Sequence, residues 1–218
     1  MFVRYYTIFK FIIPVLFLLT FFSSVTKVFA AAVTVSPGQS IQNAVNSAAN
    51  GDIITVLPGT YNETVKVTKS VTIAGGGDNT IVQEFIISAP SVTLKNFSVT
   101  GSSDTGVVSS APGSDIENIH SYNNPDGGVI LQIGSDGSKL IGNRLEHDGH
   151  FGIKVNSNNN LIQNNEVWNT YYSTDEDGMY GFGANNTWDG NYVHDMSYTD
   201  ADKPHIRTQA ESGQKLLP

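Results

Sequence analysis

The chain has 218 residues, 39% hydrophobic and 15% charged, with 21 glycines, 20 asparagines and no cysteine. The lack of cysteine excludes a disulfide framework, a thiolate metal site and a cysteine nucleophile, and a net charge of −8 lacks the basic face that a nucleic-acid binder needs. Gly, Ser, Thr and Asn in such abundance favour turns over helix interiors, so an all-β, turn-rich fold is expected.

Residues 1–30 have the composition of a signal peptide: Arg4 and Lys10 form a basic start, Phe11 to Phe22 an apolar run, and Val28-Phe29-Ala30 a small-residue cleavage site. The run is shorter than the roughly 20 residues of a membrane span. The expected mature chain is therefore secreted or periplasmic, without a membrane span, and more acidic than the whole, with 9 bases against 20 acids.

Residues 40–48 place Ile41, Ala44, Val45 and Ala48 on one helical face, with Ser36 or Ser40 as cap and Asn50-Gly51 as stop. Short strands follow with apolar residues at Ile54 and Val56, Val65 and Val67, Val71 and Ile73, Ile86, then Val92, Leu94 and Val99, broken by Pro58-Gly59 and Gly75-Gly76-Gly77. From residue 107 the chain repeats. An apolar residue, then Asn, then an apolar residue recurs as Leu140-Asn143-Leu145, Ile162-Asn165-Val167 and Trp188-Asn191-Val193, with a degenerate copy at Ile116-Ile119, at spacings of 24, 22 and 26 residues. Ahead of each stands a glycine-led strand: Gly128-Val129-Ile130-Leu131, Gly152-Ile153-Lys154-Val155 and Gly178-Met179-Tyr180-Gly181.

Strands that recur without a crossover helix satisfy their backbones by coiling, each pairing in parallel with its equivalent one turn later. Asn143, Asn165 and Asn191 then form a ladder of stacked amides at tight corners. The expected architecture is an all-β coil of parallel strands, about seven to eight turns over residues 31–205. Residues 206–218 show neither repeat feature and are expected to be an irregular tail, the coil being cut short there.

The segment SIQNAVNSAANGDIITVLPGTYNETV and the Gly-strand, Asn-corner coils together resemble the pectin-lyase-like superfamily of right-handed β-helix proteins, including its NosD-like and polysaccharide-lyase-like members, from about residue 36 to 200. The resemblance implies a single-stranded right-handed parallel β-helix whose open first coil is capped by helix 40–48. It leaves activity to be argued from the site, since the superfamily holds enzymes and plain binding proteins alike.

In the coil register Val129, Ile153 and Met179 point inward with Leu131, Val155 and Gly181. Ile130, Lys154 and Tyr180 form one exposed row, and Gln132, Asn156 and Phe182 the next. Asp-Gly pairs at Asp126, Asp148 and Asp177 would stand along one edge, unless they serve only as turn chemistry. Eight acids and no Lys or Arg lie between Glu166 and Asp202, among aromatics that include Tyr171, Tyr172, Tyr180 and Phe182. Trp188 occupies a core position.

Clustered carboxylates suit calcium, with Asp148, Asp175, Glu176, Asp177 and Asp202 as ligand candidates. Tyr180, Phe182, Asn156, Tyr171, Tyr172 and His150 are the candidates for contact with a polysaccharide. The resemblance to calcium-dependent lyases implies a basic residue that removes a proton beside a uronate carboxylate, for which Lys154 and then Lys203 are placed. The chain is thus expected to be a monomeric, uronate-lyase-like protein. Glycosidase or epimerase chemistry, a non-catalytic polysaccharide-binding or surface protein, and a NosD-like metal-assembly protein using His147, His150 and His194 stay open as alternatives.

Overall fold

The computed structural model describes residues 30–170 and 178–196, together with the backbone of 206–208 and 215–217. Period-two alternation becomes strands β1 (Ala32–Val35), β2 (Ile53–Val56), β3 (Gly59–Val67), β4 (Thr72–Ala74), β5 (Thr80–Ile87) and β6 (Thr93–Thr100), with helix α1 (Ile41–Ser47) after β1. The repeat region gives β7 (Thr105–Ser109), β8 (Asp115–Tyr122), β9 (Gly127–Leu131), β10 (Lys139–Ile141), β11 (Arg144–Glu146), β12 (Phe151–Val155) and β13 (Leu161–Gln163). It continues through β14 (Glu166–Trp168), β15 (Met179–Gly181), β16 (Thr187–Asp189), β17 (Tyr192–His194), β18 (Ile206–Thr208) and β19 (Lys215–Leu217).

Every pairing recorded between strands is parallel and joins equivalent strands of successive coils, giving a right-handed β-helix of about seven turns. Three faces result. One runs through β7, β9, β12, β15 and β18, and a second through the end of β8, then β11, β14 and β17. The third runs through the start of β8, then β10, β13, β16 and β19.

The stretch after His205, expected to be irregular, contributes β18 and β19, which pair with β15 and β16. Their three-residue pairing needs only extended backbone, so neither glycine nor asparagine announces it. The helix is shorter than expected and is capped at Ser40, whose hydroxyl accepts from Asn43 N. Glu63 on β3 accepts from Ile41 N at 2.7 Å, from Gln42 N and from the Ser40 hydroxyl, satisfying donors that a helix start leaves orphaned.

The inward columns follow the expected register. Ile153 lies between Val129 and Met179, and Val155 between Leu131 and Gly181, all fully buried or nearly so. Ile86 is a correction: Phe85 and Ile87 point inward and Ile86 outward. Trp188 is 1% exposed and stands in the column of Leu140 and Ile162. Its bulk explains Gly181, because a Cβ there would come within 2.8 Å of Trp188 Cζ2. Gly181→Ala should therefore cost about 1–3 kcal/mol by overpacking, read as a lowered urea midpoint with an unchanged m-value. An unchanged midpoint would mean that the indole shifts freely.

The asparagine ladder forms as expected. Asn143 Nδ2 donates to Asn165 Oδ1 and Asn165 Nδ2 to Asn191 Oδ1, each at 2.9 Å. The left-handed residue of the corner is not the ladder asparagine but its predecessor: Asn118, Gly142, Asn164 and Gly190 have φ between 51° and 63°. A second corner repeats the device, with Asn159 and Asn185 left-handed and Asn160 Nδ2 donating to Asn186 Oδ1 at 2.9 Å. At the third, Asn123, His147, Asn169 and Asp195 are left-handed and Asn124 and Asp148 follow as the inward residues.

Candidate functional site

The β9–β12–β15 face brings four of the expected residues together. Residues flanking inward Ile153 and Val155 must point outward, so Lys154 pairs with Ile130 on one side and Tyr180 on the other, but Ile130, expected to be exposed, is buried. Phe182 N bonds to Val155 O and Asn156 N to Leu131 O, which carries the next row through Asn156 to Phe182. Lys154 Nζ lies 5.4 Å from the ring centroid of Phe151 and 5.2 Å from that of Tyr180. Phe151 meets Tyr180 edge-on at 5.9 Å, and Tyr180 meets Phe182 edge-on at 5.4 Å. Phe182 is 40% exposed, whereas Phe151 is buried. The backbone register places Arg207 next to Tyr180 in the row of Lys154.

Phe151 escaped the sequence reading because it precedes the glycine of its strand. The structural signal is Gly127: a Cβ there would fall 2.2 Å from the Phe151 ring, so the glycine makes the space in which the ring lies.

His150 sits at the edge of this face with its Nδ1 3.0 Å from Asp126 Oδ1. Asp148 does not stand beside it. The coil offset aligns Asp148 with Asn124, and Asp126 with His150, so the Asp-Gly pairs do not stack into a row. Asp148 is 0% exposed, its Oδ1 accepting from Asn124 N at 3.0 Å and from Asn124 Nδ2 at 2.9 Å. Its Oδ2 has no hydrogen-bond partner among the described residues. Burial pushes its carboxyl up to about 7, against the hydrogen bonds from Asn124 that pull the other way, with the Glu146 charge adding to the rise. A carboxylate enclosed in a corner cannot be offered to calcium on the surface.

Lys203, Tyr171, Tyr172, Asp175, Glu176, Asp177 and Asp202 lie outside the described residues. Among the described residues no three His, Asp or Glu side chains converge to hold a metal ion.

The second exposed face went unrecognised in the sequence. Inward Leu145, Val167 and Val193 turn their neighbours outward, so His120, Arg144, Glu166 and Tyr192 form one row. Tyr122, Glu146, Trp168 and His194 form the other. The residue on each side of the apolar position after the corner asparagine was the available signal. His147 and His194, expected as a repeated His-Asp pair, do not stack, since His194 aligns with Trp168 and Glu146.

Glu146 is held by His120 Nε2 at 2.8 Å and His147 Nδ1 at 3.4 Å. His194 bonds to Asp195 at 2.8 Å and Glu166 at 3.1 Å. Asp195 chiefly, and Glu166 with it, raise the His194 imidazolium above the ordinary histidine range.

No family model and no curated protein matches the sequence. Among solved structures, Escherichia coli YbhC superposes with a TM-score of 0.52 at 10% identity, over 87% of this chain and 75% of that one. The PL6 family alginate lyase AlyGC aligns at 13% identity and a TM-score of 0.47, over 86% of this chain and 40% of the lyase. An alginate lyase from Paenibacillus sp. str. FPU-7 aligns at 12% identity and a TM-score of 0.45, over 85% of this chain and 95% of that one. The likeness to YbhC is one of fold: the protein is a right-handed parallel β-helix.

Proposed function

We propose that the protein is a carbohydrate-active β-helix protein that holds an anionic, uronate-containing polysaccharide along the β9–β12–β15 face. The observation that carries this is Lys154, whose ammonium stands over two ring faces. Those faces attract a cation and hold it where a uronate carboxylate can meet it. Tyr180 and Phe182 beside it offer flat apolar surface to sugar C–H groups, and Asn156 offers both an amide donor and an acceptor.

The same geometry ranks retention of the polysaccharide ahead of elimination. Retention needs only a cation beside rings that a sugar can stack on, whereas elimination needs in addition a neutral base placed at the reacting carbon. Calcium would act by bridging a uronate to acidic side chains, for which Asp175, Glu176, Asp177 and Asp202 remain the proposed donors and Asp148 no longer counts. The reading includes secretion of a monomer after removal of residues 1–30. Among the described residues no helix is long and apolar enough to cross a membrane.

Oligogalacturonate or oligoalginate titrated into the protein should bind saturably, and Lys154→Ala should weaken binding by about tenfold or more, a loss of at least ~1.4 kcal/mol. Unchanged binding in that variant sinks the assignment of this face. Appearance of ultraviolet-absorbing unsaturated product, abolished by Lys154→Ala, would instead restore the lyase reading. A melting temperature raised by calcium would support the metal.

A further inference from the structure

The second exposed face is acidic. The β8–β11–β14–β17 face carries Asp78, Glu146, Glu166 and Asp195, and its one arginine, Arg144, is spent on Asp78, both of whose oxygens lie 2.7 Å from the guanidinium. Even with His194 protonated, acids outnumber cations there. A polyuronate is repelled from such a surface unless something neutralises it.

The face is also lined with rings. His120 lies 5.0 Å from Tyr122 at a 42° tilt. Trp168 stacks on His194 at 5.9 Å and 12°, and Tyr192 stacks on His194 at 4.4 Å and 19°. Tyr192 is 60% exposed. Between the carboxylates of Asp78 and Glu146 lies a groove of about 250 Å³ whose other walls are Ser98, His120 and Tyr122. That is slightly below the ~300 Å³ at which small-molecule pockets begin, room for a single ring. Successive coils repeat at roughly 4.8 Å, close to the length of one pyranose unit, so a glycan lying along the axis meets a new pair of side chains at each sugar.

We propose that this second face binds a glycan whose rings carry protonated amino groups, with the carboxylates of Glu146 and Glu166 accepting from the ammonium groups and Trp168, His194 and Tyr192 stacking on the sugar faces. Each part of the ligand has a counterpart. An ammonium supplies three donors to carboxylates that are otherwise only acceptors. It gains further attraction over an aromatic ring, and the C–H face of the pyranose buries apolar area on indole and phenol. The proposal stands on this face alone and does not depend on what the Lys154 face binds.

Glucosamine hexamer titrated into the full chain tests it, with Trp168 as reporter, since Trp188 is buried at 1% exposure. The expected result is a saturable change in tryptophan emission together with shifts of the Tyr192 and His194 ring resonances, weakening as salt is raised. The isosteric pair Glu146→Gln and Glu166→Gln should lower the affinity by about tenfold or more without loss of fold, and Trp168→Ala should remove the emission change. The fully N-acetylated hexamer, which has the same rings without the charge, should bind about tenfold more weakly. Equal binding of the acetylated hexamer, preference for oligogalacturonate at these resonances, or resonances that do not move with glucosamine hexamer would each overturn the proposal.

Discussion

Asp148→Asn is expected to stabilise the protein at about pH 8 by up to roughly 4 kcal/mol, and at about pH 4 by no more than the ~1 kcal/mol of one added hydrogen bond. The reason is the place that Asp148 occupies. Its Oδ1 accepts from Asn124 N and Nδ2 as the Oδ1 of Asn165 accepts from Asn143. Its Oδ2 therefore stands where a ladder asparagine has its amino group. In the other rungs that group donates to a carbonyl of the preceding coil, as Asn165 Nδ2 does to Leu140 O and Asn124 Nδ2 to Val99 O. An oxygen there finds no partner, and ionising it in a dry corner is costly.

The unfolded chain releases this proton near pH 3.9, whereas the native state keeps it until about 7. Between those values the native state binds more protons than the unfolded one, so stability falls as pH rises and levels off above the folded value. Asparagine cannot ionise, so the variant lacks this contribution to the slope. Urea unfolding of both proteins across that range measures the difference directly, because contributions common to both cancel. A difference in stability independent of pH would show that Asp148 titrates as an ordinary carboxylate, and with it the enclosed geometry would fail.

Asp148 also shows where the sequence stops being readable. Asp148-Gly149 looks like Asp126-Gly127, and local turn chemistry suits both, yet a coil offset of 24 residues aligns Asp148 with Asn124 instead. The offset becomes 26 one coil later, as the pairing of Ile153 with Met179 shows, so corner residues slip relative to strand residues and their stacking cannot be read from dipeptides. The first ladder was legible because one residue type fills one role at Asn143, Asn165 and Asn191. The second was not, because Ser114, Ser138, Asn160 and Asn186 share that role between hydroxyl and amide. The row of Lys154 and Tyr180 was legible from strict alternation. The clamp around Lys154 needed Phe151, whose placement depends on a glycine one coil away. The acidic aromatic face was present in the sequence as the residues beside Leu145, Val167 and Val193, but three-residue strands carry too little alternation to announce a surface.

Asn165→Ala should destabilise the protein by about 3–5 kcal/mol, at the upper end of what single substitutions do. Asn165 is 1% exposed and uses both ends of its amide. Oδ1 accepts from Asn143 N at 3.0 Å and from Asn143 Nδ2 at 2.9 Å, while Nδ2 donates to Leu140 O and Asn191 Oδ1 at 2.9 Å. Alanine strands the Asn143 donors and the Leu140 carbonyl in a space sealed by the neighbouring coils, and each orphaned buried group costs about 1–3 kcal/mol. Asn191 is only half-buried, so Asn191→Ala should cost markedly less, because water can reach the groups it abandons. An exposed polar turn would behave otherwise, with both variants within about 0.5 kcal/mol of the parent. Asn165→Asp separates shape from charge: it keeps the acceptor, loses the donor and places a second ionisable group in the stack. Its stability should therefore fall as pH rises above about 4, reproducing at this corner the behaviour of Asp148 at the other.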